Sequence, residues 1–181
     1  MKLLKICALA IAVQIASPVT AIAKDFGVQF ANIPVGTKVY YSDYENDKWV
    51  ETYLGKKGKF YVFQRNYVNN KYNRNKRFYN AAGHMVKITW DSGGKITYGP
   101  QSCDRIIGKC TEKYKGRRKN SGTYKMTNTM TSSNTYHSEY YRIGETSERD
   151  YTLGAYNLFA RQDWMSGSKK RWVKIDKIVT K

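Results

Sequence analysis

Acidic residues are scarce in this chain: 14 Asp and Glu stand against 32 Lys and Arg, a formal charge of +18 at pH 7. Histidines are fewer still, His84 and His137 alone, which excludes a histidine-rich metal cage and leaves a catalytic triad two imidazoles to choose from. Asp43, Glu45, Asp47 and Glu51 gather, but they lack the loop glycine and closing glutamate of an EF-hand calcium site. No residue set calls for a metal or for any other cofactor. Three cysteines are present, too few to build the fold from cross-links. Long apolar runs are missing after residue 23, and no stretch carries a convincing helical amphipathic pattern.

What is present begins with an address. Met1-Lys2-Leu3-Leu4-Lys5 is a short basic start, Ile6 to Ala16 is apolar apart from Gln14, and Ala21-Ile22-Ala23 is a small-x-small cleavage site before Lys24. Residues 1–23 read as a cleaved signal peptide and 24–181 as a single β-rich domain. Removing Lys2 and Lys5 lowers the charge from +18 to +16. The asparagines form no glycosylation sequon, which favours a bacterial envelope: the protein is expected to be periplasmic or secreted.

Cys7 leaves with the signal, so Cys103 and Cys110 remain, with Gly108 between them to permit a tight return. An oxidising compartment then favours a 103–110 disulfide. The chain-entropy model makes so short a loop worth roughly 2.5 kcal/mol, a local staple. A redox-active pair would place its cysteines two residues apart at a helix start.

Periodicity is that of strands. In His84–Trp90, Val86, Ile88 and Trp90 alternate with Lys87 and Thr89. Turn residues 45–47, 55–58 and 91–94 separate further runs at 39–44, 48–54, 59–65 and 95–98, and later candidates are 109–114, 123–131, 135–143, 151–160 and 169–178. The fold class expected is all-β: a single small antiparallel β-barrel or β-sandwich of about ten short strands. Most runs are too short, and too charged on their polar side, for an outer-membrane barrel.

The bases are segregated. Between Glu51 and Asp91 there is no acid, but Lys56, Lys57, Lys59, Arg65, Lys71, Arg74, Lys76, Arg77 and Lys87 are all present. Lys115, Arg117, Arg118 and Lys119 crowd a second acid-free run, most simply a charged turn. Such a distribution makes a directed field that attracts anions. Within the first run, bases, amides and aromatics interleave, and Arg65, Tyr67, Lys71, Tyr72, Arg74, Lys76 and Arg77 form a candidate polyanion-binding set, with guanidinium and ammonium groups for phosphate or sulfate and tyrosine faces for stacking. The plain reading beside it is a solvated Asn-rich hairpin loop that keeps an exported protein soluble.

The function expected is a non-catalytic binding module that prefers anionic partners: an anionic glycan, a lipid headgroup or a nucleic acid. The alternative is a small cationic secreted nuclease or other hydrolase, with His137 and Glu139 on one strand face and Arg142 nearby for general acid–base chemistry. A cross-strand polar pair on a solvated face explains the same residues.

Overall fold

The computed structural model describes residues 24–69, 74–116, 121–142 and 145–180. The leader lies outside these residues, as do Lys71, Tyr72, Arg117, Arg118, Lys119 and the side chain of Arg142. Alternation of apolar and polar side chains, broken by turn residues, produces twelve strands. They are β1 (Lys38–Asp43), β2 (Lys48–Lys57), β3 (Phe60–Tyr67), β4 (Asn75–Tyr79), β5 (Met85–Trp90) and β6 (Lys95–Tyr98), then β7 (Gly108–Lys115), β8 (Ser121–Met130), β9 (Thr135–Arg142), β10 (Glu145–Leu153), β11 (Phe159–Ser166) and β12 (Lys169–Val179). Each pairs antiparallel with its sequence neighbours, and β1 pairs with β12 from Lys38↔Val179 to Asp43↔Val173, so the sheet closes into a barrel.

The barrel meets the expectation of an all-β fold, with two strands more than the alternation suggested. One is β4, hidden in the Asn-rich stretch. The other comes from the 151–160 run, which is the end of β10, a turn through Gly154–Leu158 and the start of β11. The alternation also fails at one point: the register shifts between Phe78↔Lys87 and Tyr79↔Met85, so Val86 is an extra residue and lines an outer groove beside Lys87 instead of following Ile88 inward. On β12, within the expected 169–178 run, Val173 and Ile175 stand two residues apart and both pack against the core.

Eight strands make a barrel whose side chains just fill it, and twelve leave more room. Two irregular segments occupy part of that room at one end. Residues 24–37 run beneath the barrel, with Phe26, Val28, Phe30 and Ile33 buried. Phe30 stacks on Tyr61 with ring centroids 4.5 Å apart and packs edge-on against Tyr79, while Phe26 joins Tyr136, Tyr151 and Leu153. Burial of each such side chain contributes about 1.5–3 kcal/mol. The approach is close: a Cβ on Gly27 would sit 1.7 Å from the Ala82 carbonyl oxygen, and one on Gly83, at φ +83°, would sit 2.2 Å from the Val28 nitrogen.

The second segment is the loop between β6 and β7, stapled by the Cys103–Cys110 disulfide with its Cα atoms 5.4 Å apart. Buried Asn128 donates from Nδ2 to the carbonyls of Cys103 and Ile106, both at 2.6 Å. His84 ties the two segments together. It is 1% exposed, accepts the Ser102 N–H at Nδ1 (3.0 Å) and meets the Asp25 carboxylate through Nε2 (2.8 Å). His84 opens the His84–Trp90 run in sequence, and in the fold its position is a buried junction. Because Nδ1 accepts, the ring proton sits on Nε2 and is donated to Asp25.

Candidate functional site

Among the described residues, one cavity lies inside the barrel against each half of the wall. The first, of about 200 Å³, is lined from β5 to β10 by residues including Met85, Glu112, Tyr124, Tyr140 and Arg149, together with Asp104 of the stapled loop. The second, of about 210 Å³, is lined from β11 through β12 and β1 to β4, and by Arg105 of the same loop. The adjacent residues Asp104 and Arg105 thus face different halves of the lumen.

In the second cavity the register assembles the charges. Glu51 on β2 is paired directly with Arg65 on β3, and Arg77 lies on the far side of β3, opposite Phe63. Arg65 donates from Nε to Glu51 Oε1 at 2.8 Å, with Nη2 at 2.6 Å, and Arg77 Nη1 stands 3.3 Å from the same oxygen. Burial works to raise the Glu51 pKa, but Arg65 and Arg77, with the hydrogen bond from Arg65, outweigh it and hold the carboxyl below its ordinary value. The Arg65 guanidinium also lies over the Trp49 ring, 4.6 Å from its centroid. Arg105 donates through Nη1 to the carbonyls of Phe26 (3.0 Å) and Asn157 (2.7 Å) and lies over Phe159. Three guanidinium groups therefore share the cavity with one carboxylate.

Aromatic and apolar faces complete the lining. Tyr41 stacks on Trp49 at 5.4 Å, and Tyr79, Phe159, Leu158 and Val173 close other sides. Burial, and then the charge of Glu51, raise the pKa of Tyr41 and Tyr79, so both phenols keep their protons and can donate. Two further donors, Trp49 Nε1 and Arg77 Nε, are buried without a hydrogen-bond partner. This cavity offers donors in excess of acceptors, which suits an anion.

The first cavity has the opposite character. Cys103 N–H donates to Glu112 Oε2 at 3.2 Å. Burial, with the Asp104 charge adding to it and that hydrogen bond opposing it, pushes the Glu112 pKa up to about 7. Burial also raises Asp104. Among the described residues no group of three His, Cys, Asp or Glu side chains could hold a metal ion.

The sequence-derived binding set is split by the pleat of the β3–β4 hairpin. Arg65 and Arg77 turn inward to Glu51, with Tyr67 behind Arg65, whose Nη1 donates to the Tyr67 hydroxyl at 3.2 Å. Arg74 and Lys76 are exposed outside, Arg74 Nε standing 3.6 Å from Asp91. Lys71 and Tyr72 lie outside the described residues. His137 Nδ1 meets Asp150 Oδ1 at 2.9 Å on the outer surface, and Glu139 is exposed two residues along the same strand. Sequence reasoning missed Trp49, Glu51, Arg105 and Gln162 as parts of one cavity. Glu51 carried a signal: it is the last acid before the acid-free run and alternates in phase with Trp49 and Tyr53. Arg105 and Gln162 carried none. Compared with known proteins, the chain matches no family model, no curated protein and no solved structure.

Proposed function

We propose that the protein is an exported, non-catalytic binding module that prefers anionic partners. The β3–β4 hairpin carries this reading: the acid-free run folds so that bases stand on both faces of the barrel wall, with buried Glu51 and exposed Asp91 as the carboxylates that answer them. The charged outer side chains Glu139, Glu148, Asp150 and Lys170 support a water-facing exterior over a lipid-facing one. Among the described residues no helix is long and apolar enough to cross a membrane.

Retention on heparin, a polyanionic probe, measured against salt concentration tests the reading. Binding should weaken steeply with salt as condensed counterions are released. Alanine at Lys71, Arg74 and Lys76 should weaken it more than alanine at Lys169, Lys170 and Lys177, which removes equal charge. Equal losses would reduce the preference to diffuse attraction, and no retention at low salt would overturn it. The hydrolase alternative has one observation in its favour, the His137–Asp150 pair, and its test is given below.

A further inference from the structure

We infer that the arginine-bearing cavity of the lumen is a binding site for a small organic anion, a carboxylate or phosphate monoester carried on a flat apolar body. This rests on the anion-binding reading above and gives it a ligand class and a location. The charged end of such a ligand is called for by the donor surplus. Arg65, Arg77 and Arg105 share the cavity with one carboxylate, Glu51, which spends one oxygen, Oε1, on both Arg65 and Arg77. Arg77 Nε and Trp49 Nε1 remain buried without an acceptor. A buried donor without an acceptor is costly, and an oxyanion drawn to the guanidinium groups of Arg65 and Arg77 brings acceptors to this side of the lumen. Guanidinium forks match the paired oxygens of carboxylate and phosphate.

The body of the ligand follows from the rest of the lining. Tyr41, Trp49, Tyr79, Phe159, Leu158 and Val173 present rings and aliphatic surface, beside the Tyr41 and Tyr79 hydroxyls and Gln162. An apolar cavity of about 150 Å³ holds a benzene ring, so a volume of about 210 Å³ leaves room for one ring and a small substituent. That is the scale of a single aromatic ring with an acidic substituent, and it excludes a polymer chain. Solvent reaches the arginines, whose side chains are 12% exposed at Arg65 and 22% at Arg77. Aromatic faces with a few convergent charged donors are the usual composition of a small-molecule pocket.

Isothermal titration of the protein, residues 24–181, with benzoate and with phenyl phosphate, against neutral benzamide as the matched control, tests the site. At least one anion should bind about tenfold or more tightly than benzamide, reflecting a charge-assisted contact. Arg77→Gln should lower that affinity about tenfold. Lys95→Gln, at an exposed position on β6, should leave it unchanged. If circular dichroism shows that Arg77→Gln does not fold, Arg77→Lys takes its place. It keeps the positive charge but loses the guanidinium fork, and should lower the affinity several-fold. Benzamide binding as tightly as benzoate, no heat from either anion at millimolar concentration, or equal loss in Lys95→Gln would each overturn the inference. Heparin retention measured on the same samples separates the two readings: heparin bound with both small anions refused rejects the lumenal site alone, and small anions bound with heparin refused rejects the outer-surface preference alone.

Discussion

Glu51 on β2 and Arg77 on β4 meet across the intervening β3, carboxylate oxygen to guanidinium nitrogen at 3.3 Å, although their strands are not neighbours in the sheet. The contact is possible because the barrel wall curves and brings inward side chains of alternate strands together. Arg65, on β3 itself, supplies the shorter bond to the same oxygen. One buried carboxylate thereby holds two cations within the lumen.

Removing it strands both. Glu51→Gln should destabilise the protein by about 3–5 kcal/mol, the range for breaking a buried ion pair from one side. Urea denaturation measures this. A change within experimental error would mean that the arginines are solvated and not held by Glu51.

The acidic groups predict the pH profile. Glu51, with its pKa lowered in the fold, contributes stability that is present above the unfolded value and lost as pH falls through the folded value. Glu112 acts in the other direction: with its folded pKa raised to about 7, the fold is least burdened below the unfolded carboxyl value and loses stability as pH rises to about 7. Thermal melts of the wild type should therefore fall between about pH 5 and 7 and level off above, and Glu112→Gln should flatten that slope. A steep slope retained in the variant would place its source elsewhere.

Gly27→Ala tests the packing beneath the barrel. Its Cβ would collide with the Ala82 carbonyl, so residues 24–33 should lose their seat and become open to limited proteolysis. Phe30→Ala should cost about 3–5 kcal/mol through the cavity it leaves. Protease resistance equal to the wild type in Gly27→Ala would show that the segment can shift without leaving.

Reduction of the Cys103–Cys110 bond should lower stability by roughly 2.5 kcal/mol on the chain-entropy estimate and leave the barrel folded. Unreduced protein should resist alkylation. Global unfolding on reduction would show that the staple organises more than its own loop.

For the hydrolase alternative, wild-type protein should cleave neither RNA nor DNA across neutral pH. Should cleavage occur, its loss in His137→Ala with folding intact would assign it to the outer His137–Asp150 pair and displace the binding-module reading.

Much of the wall was legible because a pleated strand imposes a period of two, and Val173 and Ile175 obey it. The disulfide was legible from spacing and compartment. Val86 was not, because a bulge inserts a residue without leaving a compositional mark. Nor was β4: Asn75 to Tyr79 looks like loop chemistry, yet its pairing with β3 decides that Arg77 turns in and Lys76 turns out. The cavity itself joins residues from both ends of the chain, and a local pattern cannot report such a meeting.

The seam between β1 and β12 sets one more condition on this molecule. Every other neighbouring pair of strands is consecutive in the chain, so hairpins can form as the polypeptide emerges, but closure waits for Lys169–Val179. A chain truncated before this strand would expose two unpaired edges, on β1 and β11, and would be prone to edge-to-edge aggregation. The strand gives its first half, Lys169–Lys174, to β11 and its second half, Val173–Val179, to β1, so removing only its last residues would open the seam and leave the pairing with β11 in place.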